Sequence, residues 1–224
     1  MKTMKLLLTS AGIKNTSIHN ALIGLLDKPI AESNALCIPT AIYALSHGPV
    51  SAWRFISGQE PDCPMCELGW KSVGVLELTA LPSLEQKLWL PRLQETDVLL
   101  VNGGDPLYLS YWMRQSGLAD LLPSLPAVYV GLSAGSMVMA PNIGEEFVGW
   151  SPPDGGDRTL GFVDFAMFPH LDHQDLPYNT MAHAERWAAN MPVPSFAMDD
   201  ETAIQVVDGA VEVISEGHWK QFTP

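Results

Sequence analysis

Short apolar runs alternate with longer segments of mixed polarity along the first 140 residues. The runs predict buried strands at residues 5–9, 35–39, 73–78, 97–101 and 127–132. Helices are predicted between them, at residues 18–26, 84–93 and 107–118. Pro91 must kink or end the second of these helices. Strands that alternate with helices at this spacing predict an α/β fold, with a mostly parallel sheet and helices on both faces.

The pattern changes beyond Pro141. An extended segment is predicted at residues 162–168, a helix at 180–189, and short strands at 193–197, 203–207 and 211–215. Asp208 and Gly209 predict a hairpin turn between the last two strands. Residues 43–72 contain a stretch rich in Gly, Pro and Cys, which we interpret as a loop or lid over the sheet edge. We expect residues 1–224 to form a single domain that includes this excursion.

The fifth apolar run ends in Gly-Leu-Ser-Ala-Gly, which places Ser133 at the tip of a strand-turn-helix. A nucleophile at such a turn needs small neighbours, here Gly131 and Gly135, where strand and helix cross. The amide of Ala134 would then lie near the helix N-terminus and could stabilise an oxyanion, and the glycine pair at 103–104 could offer a second donor. A serine that only caps the helix would produce the same pattern.

A serine nucleophile needs a base and an acid that orients the base. His170 follows an apolar strand and Pro169, where its side chain would reach the same rim of the sheet. The acidic residues 199–201 precede another apolar run and offer an acid at a strand entrance. Asp172, His173 and Asp175 share one loop, a pattern more typical of a solvated surface than of a metal site. We therefore expect no metal and no other cofactor; the 103–105 turn also lacks the spacing and the lysine of a phosphate-binding loop.

Composition excludes several classes of function. The formal net charge is −13, from 12 Lys and Arg against 25 Asp and Glu, which disfavours binding to nucleic acid or to anionic membrane. No stretch approaches the ~20 apolar residues of a membrane span, and the apolar run near the start is too short for a signal-peptide core, so we expect a cytoplasmic protein.

Cys63 and Cys66 have the spacing of a redox or zinc half-motif, but no second pair of ligands follows. Cys37, inside an apolar run, is expected to be a buried core thiol.

Six segments together resemble dipeptidase E and its relatives, the serine peptidases that include the aspartyl dipeptidases and, more distantly, cyanophycinase. They are residues 6–10, 38–41, 101–105, 131–135, 168–170 and 200–206. The resemblance implies a fold similar to class I glutamine amidotransferases and cleavage of a small peptide or amide through an acyl-enzyme. It implies Ser133 as nucleophile, His170 as general base and then acid, and Asp200 as the orienting acid. The amides of Gly104 and Ala134 would form the oxyanion hole.

Some positions leave alternatives open within this resemblance. Glu201 is the second choice for the acid that orients His170. Some descriptions of the family place this acid after the nucleophile helix, which points to Glu145 or Glu146. Asp105 stands where the family usually has Asn after the double glycine. Cleavage after an N-terminal aspartate requires an arginine to meet its carboxylate, and Arg186 is the arginine that the region after His170 offers.

Two other functions compete with the peptidase. An α/β-hydrolase esterase would order its triad as Ser133, then Asp172 or Asp200, then His218. A non-catalytic amidotransferase-like domain would keep the turn at Ser133 without turnover, and a Ser133→Ala variant would distinguish it. The expected partner is a small peptide or amide substrate, with no nucleic acid and no membrane; the sequence does not indicate the oligomeric state.

Overall fold

A computed structural model describes residues 4–60 and 62–224. These residues form ten strands: β1 (Lys5–Thr9), β2 (Asn34–Ile38), β3 (Ser72–Val75), β4 (Val98–Val101), β5 (Val128–Leu132), β6 (Ala166–Phe168), β7 (Ser195–Met198), β8 (Thr202–Val207), β9 (Ala210–Ser215) and β10 (Trp219–Phe222). They also form seven α-helices: α1 (Thr16–Leu26), α2 (Gly48–Ile56), α3 (Gln86–Gln94), α4 (Pro106–Gln115), α5 (Leu118–Leu121), α6 (Ala134–Met137) and α7 (Met181–Ala188). No helix among the described residues combines the length and apolar character needed to cross a membrane.

The central sheet has seven strands in the order β3-β2-β4-β5-β1-β8-β9. From β3 to β1 the neighbours are parallel, whereas β8 and β9 add an antiparallel pair at one side. A second sheet, in the order β10-β7-β6, pairs β6 and β7 in parallel. The predicted α/β fold with a mostly parallel sheet is confirmed, but the second sheet and its strand β10 were not predicted.

Helices cover both faces of the central sheet because the side chains of its strands alternate between two apolar clusters. Leu6 and Leu8 of β1 pack in one cluster with residues of α3 and α4, whereas Leu7 packs in the other with residues of α1. Leu7 and Leu8 are fully buried, and full burial of one leucine side chain stabilises a fold by about 1.5–3 kcal/mol. Sheets buried on both sides read as continuous apolar runs, which is why these strands were recognisable.

Two predicted elements differ from the structure in informative ways. The helix predicted at 107–118 ends at Gln115, because Gly117 adopts a left-handed φ of 76° and starts the separate helix α5. The stretch 43–72 contains helix α2 and an irregular segment after it. Phe55, Met65 and Trp70 from this stretch are buried in the cluster beneath α1, so the segment is packed against the sheet.

The carboxyl ends of β1, β4 and β5 lie at one edge of the central sheet. Ser10, Asn102 and Ser133 directly follow these three strands. Ligands of open α/β sheets bind at this edge, and the candidate site is found there.

Candidate active site

Ser133 occupies a strained turn between β5 and α6. Its φ of 49° and ψ of −111° lie outside the regions that side-chain-bearing residues normally adopt. Its backbone N–H donates to the carbonyl of Thr9 on β1 over 3.1 Å. Its hydroxyl makes no capping bond to α6 in the described structure. The strained strand-turn-helix, with a serine that does not cap the helix, has the geometry that a nucleophile elbow requires.

The elbow depends on glycine where the strand and the helix cross. A Cβ on Gly131 would meet the backbone of Gly135, and a Cβ on Gly135 would meet the carbonyl of Val101. The buried hydroxyl of Tyr129, on β5, donates to the carbonyl of Gly135, on α6, over 2.6 Å and so links the strand to the helix where they cross. The small residues predicted from the sequence are therefore required by close backbone approach.

His170 and Asp200 are brought together by the second sheet. Phe168 of β6 pairs with Ala197 of β7 in parallel register, and His170 and Asp200 follow the ends of these two strands by two residues each. The Nδ1 of His170 lies 2.7 Å from Oδ1 of Asp200. Because an ionised carboxylate only accepts, Nδ1 carries the proton and Nε2 is free to take another.

The backbone of His170 is also held in an uncommon conformation. Its φ is 56°, a left-handed value that is rare for a residue with a side chain. Its N–H donates to the hydroxyl of Ser10 over 2.8 Å. The same hydroxyl lies 3.4 Å from Oδ1 of Asp200. Ser10, directly after β1, thus ties His170 and Asp200 to the central sheet, a role that the sequence did not indicate.

Asp200 is surrounded by cationic and hydrogen-bonding groups. Its second oxygen, Oδ2, lies 3.6 Å from Nε2 of His173 and 3.9 Å from Nζ of Lys14. Burial by itself would raise the pKa of Asp200, but the hydrogen bond and charge of His170, with Lys14 and His173, outweigh it and lower the pKa. Asp200 is therefore ionised at neutral pH.

The other candidate acids lie elsewhere. The carboxylate of Glu201 accepts from the side-chain amide of Asn15 over 3.0 Å. Glu145 and Glu146 are exposed on a short 3-10 turn after the elbow helix. Among the described carboxylates that the sequence offered as the orienting acid, Asp200 is the one that contacts His170.

Ser133 and His170 line one pocket of about 310 Å³ together with Asn102, Gly103 and Gly104. The side-chain oxygen of Asn102 accepts from the N–H of Gly103 over 2.8 Å and fixes this turn. Gly104 has a φ of 135° and its α-carbon packs against the backbone of the 3-10 helix at Thr40–Ala44. Within the part of the chain that the structure describes, the N–H groups of Gly104 and Ala134 have no hydrogen-bond acceptor. Gly104 lines the pocket and Ala134 directly follows Ser133, so both unpaired N–H groups lie beside the candidate nucleophile in the chain or in the pocket.

Cys63 lines the same pocket and brings a thiol, a second type of potential nucleophile. Burial, followed by the charge of Asp200, raises the pKa of its thiol to about 11, and nearby Lys14 only partly opposes the shift. Cys63 is therefore a neutral thiol at physiological pH and a poor nucleophile. Cys66 is buried in the core together with Cys37, and all three cysteines are free. The prediction that Cys37 is a buried core thiol is confirmed.

Asp105 has a structural role. One carboxylate oxygen accepts from the N–H groups of Leu107 and Tyr108 and caps α4, whereas the other accepts from Trp150 over 2.6 Å. Three backbone donors suit a carboxylate better than an amide, whose NH₂ group cannot accept. The third donor, the N–H of Trp150, therefore explains why aspartate stands at position 105 where the dipeptidase E pattern usually has asparagine.

Two residues considered from the sequence are not among the described residues that line the pocket of Ser133. Arg186 is exposed on α7 and is absent from the described lining of the pocket. His218 contacts Asp172 and Asp199, each at 3.0 Å, and is likewise absent from that lining. The Ser-acid-His order of an α/β-hydrolase esterase is therefore not assembled here. Residues 4–60 and 62–224 contain no group of three or more His, Cys, Asp or Glu arranged to hold a metal ion.

Known proteins of similar sequence and fold are peptidases by name. A relative from Pasteurella multocida (strain Pm70), named an uncharacterized peptidase, is 26% identical over 136 residues. That match covers 57% of this chain and 63% of the relative, so it spans less than two thirds of that protein.

Two solved structures have a similar fold. One is a provisionally named peptidase E protein from Listeria monocytogenes EGD-e, with a TM-score of 0.65 and 18% identity, covering 96% of this chain and 99% of that one. The other is a peptidase from an acI-B1 Actinobacterium, with a TM-score of 0.65 and 18% identity over 99% of this chain and 94% of that one. The model of Peptidase family S51 matches residues 6–214, nearly the whole chain, and the chain therefore belongs to that family.

Proposed function

We propose that the protein is a serine peptidase that cleaves a small peptide or amide through an acyl-enzyme on Ser133. The observation that carries the proposal is one pocket shared by a strained serine and a histidine whose far nitrogen binds a carboxylate. Membership of Peptidase family S51 and the peptidase names of the relatives support the same reaction class.

Acylation begins when the hydroxyl oxygen of Ser133 attacks the substrate carbonyl carbon. Nε2 of His170 takes the hydroxyl proton, and ionised Asp200 stabilises the imidazolium that forms. The negative charge on the carbonyl oxygen is met by the free N–H groups of Gly104 and Ala134. One such donor is typically worth about 10²–10³ in rate.

Collapse of this intermediate breaks the C–N bond, and His170 returns its proton to the departing amine. Water then attacks the acyl-enzyme ester while His170 takes a proton from it. The second intermediate releases a carboxylic acid, and Ser133 regains its proton. Every proton moves among Ser133, His170, the amine and water, so the cycle needs no cofactor.

The pocket and composition support the remaining expectations. A pocket of about 310 Å³ suits a substrate of one or two residues. The net charge of −13 disfavours nucleic acid as a partner. Three free cysteines suit the reducing cytoplasm, where we place the protein. We also propose that the chain acts as a single domain.

A dipeptide panel tests the proposal, with acidic, basic and apolar N-terminal residues, using wild type, Ser133→Ala and the exposed-site control Ser124→Ala. We expect hydrolysis by wild type and control and a loss of about 10⁴–10⁶ in kcat for Ser133→Ala. A fluorophosphonate, which phosphonylates activated serines, should add to the peptide containing Ser133. Hydrolysis of the panel that is unchanged in Ser133→Ala would contradict the proposal.

A further inference from the structure

The pocket beside Ser133 is built largely by one stretch of chain. Six of its lining residues come from the segment 42–63: Ile42, Leu45, Ser51, Phe55, Glu60 and Cys63. Ser51 and Phe55 lie on α2. The part of the sequence with the least regular pattern thus supplies the wall that a substrate side chain would contact.

This wall is mostly apolar, and Glu60 is the one carboxylate among the described residues that line the pocket. Ile42, Leu45, Phe55 and Leu132 supply the apolar surface, and Glu60 is half-buried among them. Among the described residues that line the pocket there is no lysine or arginine. An aspartyl side chain bound here would meet no cation and would lie near Glu60.

A second observation indicates negative potential on this side of the pocket. Burial and then Asp200 raise the pKa of the Cys63 thiol most, Lys14 opposes them, and the carboxylates of Glu60 and Asp62 raise the pKa by smaller amounts. Lys14 does not line the pocket, and its Nζ is directed toward Asp200 at 3.9 Å. Cations are favoured next to Glu60, and anions are not.

We infer that the pocket binds a peptide with an uncharged apolar N-terminal residue, whose free α-ammonium group pairs with Glu60. The inference rests on the proposed peptidase function and assigns its substrate class. The apolar side chain would pack on Ile42, Phe55 and Leu132, and the scissile carbonyl would lie against Ser133. Burial of this side chain and one charge-assisted bond would together orient the acyl group.

A lysyl or arginyl side chain fits the same wall less well. If its cationic end paired with Glu60, the α-ammonium would have no second carboxylate to pair with among the described residues that line the pocket. An unpaired charge there carries a desolvation cost. With a single carboxylate in the lining, the uncharged residue leaves no charge unpaired.

Four p-nitroanilides test the inference: those of leucine, N-acetyl-leucine, aspartate and lysine. The enzymes are wild type, Glu60→Gln and the control Glu32→Gln, which makes the same change at an exposed position outside the pocket lining. We expect wild type to prefer the leucine substrate by tenfold or more over each of the other three. Glu60→Gln should lower kcat/KM for this substrate by about tenfold or more and should leave N-acetyl-leucine within twofold, whereas Glu32→Gln should resemble wild type.

Several results would overturn the inference while leaving the proposed function intact. They are Ser133-dependent cleavage that prefers aspartate, cleavage of the leucine substrate that survives N-acetylation, or a Glu60→Gln variant that resembles wild type. A preference for lysine that disappears in Glu60→Gln would assign the carboxylate to the side chain instead. Absence of Ser133-dependent hydrolysis of every substrate, with no fluorophosphonate labelling of Ser133, would overturn the proposed function and this inference with it.

Discussion

Replacement of Asp200 by asparagine tests the catalytic geometry most directly. The substitution keeps the size of the side chain but removes the negative charge that lies 2.7 Å from Nδ1 of His170. Asparagine can also present an NH₂ group to Nδ1, which would favour the tautomer with the proton on Nε2. That tautomer cannot accept the proton of Ser133.

The size of the effect follows from the charge pair in the transition state. The imidazolium and carboxylate charges, about 4 Å apart, attract by about 4 kcal/mol at an effective dielectric constant near 20. The side chains of His170 and Asp200 are 19% and 17% exposed, so solvent screens part of this energy. A residual of about 2–3 kcal/mol corresponds to a fall in kcat/KM of about 30- to 150-fold.

The assay is steady-state hydrolysis of the best panel substrate, together with the rate of fluorophosphonate labelling of Ser133. The matched control is Glu201→Gln, which neutralises the adjacent carboxylate that contacts Asn15 instead of His170. We expect Asp200→Asn to slow both reactions and Glu201→Gln to change neither by more than about threefold, as for a surface charge. Activity within threefold of wild type in Asp200→Asn, or an equal loss in Glu201→Gln, would refute the assignment.

Four further predictions test the surroundings of the site. Ser10→Ala removes the acceptor for the N–H of His170, and kcat should fall about tenfold with KM unchanged in steady-state kinetics, the cost of about one hydrogen bond. Gly104→Ala forces a methyl group into neighbouring backbone, so activity per folded molecule, with folding checked by circular dichroism, should fall more than about 100-fold. Asp105→Asn should cost about 1–3 kcal/mol of unfolding free energy in urea, with kcat within twofold. Folding lowers the pKa of Asp200 below its ordinary value of 3.8, so the ionised carboxylate stabilises the fold. The difference in unfolding free energy between wild type and Asp200→Asn should therefore be constant above about pH 3.8 and should shrink as pH falls through the lowered pKa. A difference that stays the same in acid would contradict this.

The strands of the central sheet were predictable because burial on both faces makes them continuous apolar runs. The first predicted strand, residues 5–9, matches β1 at both ends. The hairpin turn also followed from local chemistry, since Asp208 and Gly209 both adopt positive φ between the antiparallel strands β8 and β9. The strand β10 was missed because its residues are mostly exposed and its sequence, Trp-Lys-Gln-Phe, shows neither an apolar run nor a clear alternation.

Only those residues of the candidate site that neighbouring residues mark could be predicted from the sequence. Ser133 is marked by the glycines that its turn requires, and His170 by the strand before it. Three consecutive acids left the orienting residue open, and the resemblance to a family favoured Asp200. The structural reason is tertiary: Asp200 follows a strand paired with β6, whereas the side chain of Glu201 is held by Asn15 near the start of α1. No local feature of the sequence encodes that difference.

The residues missed from the sequence depend on contacts between distant segments. Ser10 binds a backbone group 160 positions away, and Glu60 reaches the pocket from a stretch whose composition resembles a loop. Their chemical types are ordinary, so composition and spacing could not select them. A position directly after a buried parallel strand is the one available signal for Ser10, because side chains there meet at the ligand-binding edge.

The proposed catalytic groups divide between the two sheets, and this division has a consequence for the proposed mechanism. Ser133 and the N–H groups of Gly104 and Ala134 belong to turns after strands of the central sheet, whereas His170 and Asp200 follow strands of the smaller sheet. Proton transfer therefore requires the two sheets to keep their relative position to within the reach of a hydrogen bond. Ser10 joins them at the reacting end, since it terminates β1 and binds the backbone of His170. A change that shifts the smaller sheet should slow proton transfer while leaving the strained turn at Ser133 intact, because that turn is fixed by glycine contacts within the central sheet and its helix.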